Sequence, residues 1–428
     1  MHKVLVISYY FPPMGLSGVQ RTLKFTKYFK DYNWEPTVLT TSDIAYYAHD
    51  NSLLKEVEDA NVNIVRVGGG DINSLLKKNG TVKIPREKIR KLFSYISSTF
   101  FIPDNKVGWS KKALVKAREI LRNEKFDIIY VTAPPFSSVN MAVELKKEFR
   151  IPLVIDYRDL WYESYFSFYP TLFHKSMNKK MEYNALKEAD KITVTNRSIK
   201  EKLLNTYKFL SFDDVIIISH GYDPKDFENL EPVAKTNSRL IIAYSGIFME
   251  YNTPKYFLKA FKEISLEKPE IAANIELHFI GLLRIENQKL IRKLHLEEFV
   301  KDFGYIEHSD AVRQLISSDV CWFMIGNKKN IDALLPGKLY EYIGAKKPII
   351  ACVPEGAAKN ALQKYGAAFY TDPIDINNIK KTIYNVYDLY QKDELPKPDD
   401  EFVQQYRRDF LTEQLCKEFQ FCMNTEVE

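Results

Sequence analysis

The sequence predicts an α/β fold of two doubly wound, parallel-sheet domains in series. Three observations carry this. Short apolar runs alternate with helical stretches, the alternation occurs twice, and a polar stretch with two prolines at residues 223–238 lies between the two series. Strands buried on both faces read as continuous apolar runs, and strands alternating with helices imply crossovers in a parallel sheet. A chain of 428 residues is long for one domain and comfortable for two.

In the first half, residues 3–8 are an apolar run ending in a loop and read as a buried strand. Residues 19–32 carry Leu23, Phe25, Tyr28 and Phe29 at helical spacing. Further strands are expected at 36–39, 63–67, 127–131, 153–156, 191–195 and 215–218. The second half repeats the pattern, with strands at 239–244, 275–279, 319–323 and 348–351. Helices are expected there at 256–266, 286–294, 337–343 and 376–390. Residues 395–400 form a second break, and 401–422 one final helical segment.

Residues 70–101 interrupt the rhythm. A Lys- and Arg-rich run at 83–91 leads into residues 92–102, rich in Phe, Tyr and Ile. That order fits a membrane-surface helix; it equally fits a surface hairpin packed on the domain. Both readings stand at this point.

A hydrophobic fraction of 45% and a charged fraction of 27% are those of an ordinary globular protein. Aromatics at 14% fit either a bulky core or rings exposed for stacking on bases, sugars or lipid. Cys321, Cys352, Cys416 and Cys422 form no CxxC pair and sit in no His cluster, which points to reduced thiols and no zinc site. The apolar run at 4–7 is too short for a signal peptide, and no run approaches the ~18 residues of a membrane span. The expected location is the cytoplasm, with the inner face of the membrane left open. Residues 1–230 carry 35 Lys and Arg against 27 Asp and Glu, the rest 26 against 29, and residues 83–150 alone 15 against 7. A basic region confined to one domain suggests an anionic partner such as phospholipid headgroups or a lipid diphosphate. No nucleic-acid-binding motif accompanies it.

Several segments at strand ends are placed to carry chemistry, because ligands of parallel sheets bind off the carboxyl ends of strands. The first such loop runs SYYFPPMGLSGVQR, with Gly15, Gly18 and Arg21. Its glycines allow backbone to approach a phosphate, but Gly15-x-x-Gly18 is not the dinucleotide fingerprint. An ordinary turn explains the glycines as well. Residues 156–161 read DYRDLW, putting Arg158 and Asp159 at a strand end; a surface pair between those two is the plainer alternative. In the second half, Ser245 and Gly246, and then Gly281, follow strands. Residues 336–350 read PGKLYEYIGAKKPII. There Gly337, Lys338 and Leu339 open a helix, with Lys338 suited to a diphosphate and Glu341, about one turn on, to the ribose hydroxyls. Lys338 and Glu341 at i, i+3 also make a plain helix pair.

At these segments the chain resembles the GT-B-fold glycosyltransferases, specifically the large family-four group of retaining transferases. ISHGYD at 218–223 and SDV at 318–320 add to the likeness, which spans nearly the whole chain. The resemblance implies two facing Rossmann-like domains: residues 1–225 binding the acceptor, residues 238–395 binding the nucleotide-sugar, and residues 400–428 crossing back as a helix onto the first. It implies transfer of a hexose-type sugar from a UDP- or GDP-sugar co-substrate to a hydroxyl of a glycan or lipid-linked glycan, as in polysaccharide biosynthesis. No other cofactor and no metal are implied, and the sequence lacks a convincing DxD metal motif. The leaving phosphate itself would take the acceptor proton.

The family pattern is not followed everywhere. Glu341 matches the second of two glutamates spaced by seven residues, but the first falls on Ala333. The Arg and Lys that follow the glycine of YSG fall near Ile247 and Thr253; Lys255, Arg21 or Arg158 would have to substitute. A frequent His is Arg158 here, and a frequent Asn is His220. These departures keep two alternatives open: a catalytically degenerate nucleotide-binding partner subunit, and a sugar-nucleotide epimerase on the same fold.

Overall fold

The computed structural model describes the chain except residues 43, 45, 70–84, 86, 165–166, 229, 249–250, 329 and 425–428. It divides into two compact units. One is Met1–His220 together with Arg408–Glu428, the other Gly221–Arg407.

The first unit is a seven-stranded sheet. Its strands are β1 His2–Ile7, β2 Trp34–Thr41, β3 Asn63–Val67, β4 Ile128–Ala133, β5 Leu153–Tyr157, β6 Lys191–Val194 and β7 Val215–Ile217. They are ordered β3-β2-β1-β4-β5-β6-β7, with all pairings parallel. Val4, Leu5, Val6 and Ile7 are fully buried, as expected for a central strand with helices over both faces. The strand order reverses between β1 and β4, so the crevice at their carboxyl ends is where a ligand site belongs.

The second unit repeats this with β8 Leu240–Ser245, β9 Ile275–Ile280, β10 Val300–Asp302, β11 Val320–Met324, β12 Ile349–Cys352 and β13 Ala368–Thr371. Its order is β10-β9-β8-β11-β12-β13, again all parallel, with the reversal between β8 and β11. Trp322 anchors its core, stacked on Phe257 at 3.9 Å between ring centroids and lying 5.3 Å from Tyr244. Every strand expected from the sequence is present to within two residues at each end, and the doubly wound α/β class holds for both units.

Two helices differ from expectation. The helix expected at 19–32 is α-helical over Ser17–Tyr28 and tightens to a 3-10 turn at Phe29–Tyr32, closed by Asn33 at φ 65°. The single helix expected at 401–422 is two, Asp400–Gln404 and Arg408–Asn424. The intervening backbone is drawn off: Tyr222 N–H donates to the Tyr406 carbonyl and Tyr222 pairs in parallel with Arg407. The second helix belongs to the first unit, where Phe419 packs against Trp34 at 5.1 Å, Tyr130 at 5.5 Å and Phe29 at 5.6 Å.

Of the irregular region, residues 70–84 and 86 lie outside the described residues, and Glu87–Phe100 is a helix. None of its described residues is buried; the other arm of the expected hairpin lies outside the described residues.

Candidate functional site

In the first unit the expected loop leaves β1 and carries Leu16 at φ 72°, a left-handed conformation that costs an ordinary residue energy. Gly15 N–H donates to the Ala48 carbonyl at 2.9 Å, which fixes the loop's start. Arg158, after β5, fixes its end: one Nη donates to the Gly18 carbonyl, the other to the Pro134 carbonyl, and Nε to the Ala133 carbonyl at 3.3 Å. Arg158, placed by the sequence at a strand end as a candidate cation, thereby joins the segments after β1 and β4, the two strands at the reversal. Arg21 is likewise committed inward. Its guanidinium is buried against the Asp156 carboxylate and also donates to the Ile218 and Ser219 carbonyls, at 2.8 and 2.7 Å.

The surface pair between Arg158 and Asp159 does not form. Asp159 is partly exposed, with no hydrogen-bond or ion-pair partner among the described residues, and burial raises its pKa against the opposing pull of Arg158. His220 is held well below its usual pKa by burial and by the charge of Arg21, so it is neutral at pH 7.

In the second unit, Gly246 and Gly281 end β8 and β9 at φ 112° and 124°. A Cβ on Gly281 would lie 2.7 Å from the Gly246 carbonyl oxygen, and one on Gly246 would lie 3.5 Å from Lys338 Nζ. Only glycine permits this approach. The Ser245 N–H is already spent, donated to the Tyr342 hydroxyl at 2.7 Å.

Lys338 opens the helix Lys338–Gly344 and lays its ammonium on Tyr244. It donates to the hydroxyl and sits 4.1 Å from the ring centroid. Burial lowers its pKa to about 7, with Glu341 pulling the other way. Glu341, one turn on, faces His308 Nε2 at 3.5 Å, and Asp226 lies 3.9 Å from His308 Nδ1. Leu339 is fully buried; it packs in the core and offers a ligand no side chain. Gly337 caps the helix and accepts from Tyr340 N–H at 3.0 Å. Lys255 is exposed at the start of the helix Lys255–Glu267, its ammonium 5.2 Å from the Tyr256 ring.

The second unit therefore brings together Gly246, Gly281 and Lys338, with Glu341 adjacent, at the carboxyl ends of β8 and β9. Sequence reasoning missed Tyr244 and His308. Tyr244 stood inside the YSG segment, but its hydroxyl gave no sign of meeting Lys338. His308 stands alone in the sequence and gave no signal.

The Glycosyltransferase Family 4 model matches residues 81–226. Among curated protein sequences none matches this chain. Solved structures do. A glycosyltransferase from Rickettsia africae is 14% identical, with a TM-score of 0.64 over 99% of this chain and 98% of its own. The sucrose-phosphate synthase of Thermosynechococcus elongatus is 14% identical, at 0.66 over 99% and 100%. Anabaena Alr3699/HepE, solved in complex with UDP, is 12% identical, at 0.61 over 98% and 100%. At such identities the likeness establishes the fold: the chain has the two-domain GT-B architecture and, over residues 81–226, is similar to Glycosyltransferase Family 4.

Proposed function

We propose that the protein is a glycosyltransferase that moves a hexose-type sugar from a nucleoside diphosphate to a hydroxyl of a glycan or lipid-linked glycan. The observation that carries the donor assignment is Lys338: a poorly compensated ammonium beside Gly246, one helical turn from the Glu341 carboxylate. A diphosphate would supply the missing counter-charge, and Glu341 would accept hydrogen bonds from the ribose hydroxyls. The family match and the UDP bound to the Anabaena protein support the same reading. Asp159 would meet the sugar or the acceptor. With helix ends and Lys338 to neutralise the leaving diphosphate, the reaction would run without a metal, with retention, the leaving phosphate taking the acceptor proton. Polysaccharide biosynthesis in the cytoplasm is the setting this implies.

Titration of UDP, GDP and ADP against thermal unfolding tests the donor site. A ligand at ~100 times its dissociation constant stabilises by ~2.7 kcal/mol. The expected result is a shift with one nucleotide that Glu341→Ala abolishes; no shift with any of them would remove the assignment. Ile247, Thr253 and Ala333, where the family carries two cations and a glutamate, favour a second reading: a nucleotide-binding subunit without turnover. Nucleotide binding combined with no sugar transfer or donor hydrolysis would select it.

A further inference from the structure

The helix Glu87–Phe100 belongs to the first unit, and none of its described residues is buried. Leu92, Phe93 and Phe100 are 58%, 62% and 76% exposed, and Ile89 and Ile96 are exposed as well. Their spacing of three and four residues puts Ile89, Leu92, Phe93, Ile96 and Phe100 along one side. One flank, next to Leu92, is fastened: Tyr95 meets Phe168 at 5.0 Å, and the Thr99 carbonyl lies 3.1 Å from His174 Nε2. Leu172 and Phe173, which immediately precede His174 in sequence, are 84% and 63% exposed. A helix this short is marginal in water on its own, and so dense a group of exposed large apolar side chains marks a surface that something covers.

We propose that this surface lies on an anionic lipid bilayer, with the apolar stripe in the boundary between headgroups and acyl chains. The charge around it selects that occupant. The helix itself carries Lys88, Arg90 and Lys91 against Glu87, and residues 171–180, which include its attachment point His174, carry three lysines and no acid. Lys175, Lys179 and Lys180 are exposed. A second copy docked through the same patch would set basic against basic, whereas anionic headgroups attract it. No helix among the described residues is long and apolar enough to cross a membrane, so the helix lies in the interface plane. The assignment stands apart from the transferase reading; if both hold, docking brings the enzyme to acceptors held in the membrane.

Co-sedimentation of the full chain with lipid vesicles tests it. Vesicles with about 30 mol% phosphatidylglycerol should bind roughly tenfold more tightly than pure phosphatidylcholine, with the advantage lost at about 0.5 M salt. The double variant Phe93→Asp, Ile96→Asp should weaken binding by at least about tenfold at an unchanged melting temperature, since both side chains are exposed. Wild-type protein that ignores both vesicle types overturns the proposal. So does a wild-type dimer in sedimentation velocity that the double variant dissociates, without vesicle binding by either.

Discussion

Arg21 grips Asp156 from two sides: Nε donates to Oδ2 at 2.9 Å and Nη2 to Oδ1 at 2.8 Å, and both side chains are about 1% exposed. Thr193 and Thr132 hydroxyls complete the carboxylate's shell at 2.6 and 3.2 Å. Burial alone would raise this carboxyl; the charge and hydrogen bonds of Arg21, with Thr193, overturn that and hold it at about 2. Arg21→Leu should cost about 3–5 kcal/mol in urea unfolding, because it strands a buried charge. Arg21→Lys should recover little, since one ammonium cannot replace the fork and its two carbonyl contacts. The double variant Arg21→Leu, Asp156→Leu should be more stable than Arg21→Leu alone. Asp156 also ties stability to acid. Its folded pKa is depressed, so its contribution is complete above the unfolded value of 3.8 and is lost as pH falls toward about 2.

Glu182 has the opposite sign. Burial pushes it up to about 7, although it accepts from the Tyr207 hydroxyl at 2.6 Å and from Tyr162 N–H at 3.1 Å. The native state therefore holds a proton that the unfolded chain releases near 4.5, and the stability this confers is lost as pH rises toward 7. Glu182→Gln should flatten that segment of the stability-versus-pH curve and be more stable than wild type at pH 8.

Lys338 makes nucleotide affinity depend on pH. Protonated, it attracts a diphosphate; above about pH 7 the free protein must first take up a proton. Affinity should fall as pH rises from 7 to 9, by up to about tenfold per unit, and calorimetry should show proton uptake on binding. Lys338→Met should bind more weakly and lose the slope. Without ligand, the unfolded chain binds more protons at this residue between about 7 and 10.5, so its share of stability rises with pH there.

Gly281→Ala should destabilise by about 1–3 kcal/mol, since it adds a Cβ in a left-handed backbone against the Gly246 carbonyl. Because Gly246 borders Lys338, nucleotide affinity should fall with it. A variant as stable as wild type by urea unfolding would show that the two strand ends can separate freely.

The fold was readable because a parallel sheet covered on both faces writes itself as apolar runs; Val4–Ile7 and the run at 348–351 are examples. What escaped were elements with little apolar content. β10, with Lys301 and Asp302 exposed, and the half-exposed β13 had no run to find. The broken helix at 405–407 depends on a pairing with Tyr222, nearly 200 residues away in sequence. Site legibility followed the same division. Gly246, Gly281, Lys338 and Glu341 sit at strand ends or helix starts, positions that periodicity locates. The partners of a long side chain are not so marked. Neither the burial of Arg21 on Asp156 nor the grip of Arg158 on the Gly18 and Pro134 carbonyls has a local pattern, because both join segments more than 20 residues apart.

The helix Arg408–Asn424 also sets an order of events during synthesis. Phe419 fills a gap lined by Phe29, Trp34 and Tyr130, yet it is translated only after the whole of Gly221–Arg407. While the second unit emerges from the ribosome and folds, the first waits with an aromatic cleft open to solvent, against the usual sequence in which the leading domain finishes first. Residues 1–220 produced alone should be prone to aggregate, and a separate peptide spanning 408–424 should rescue them.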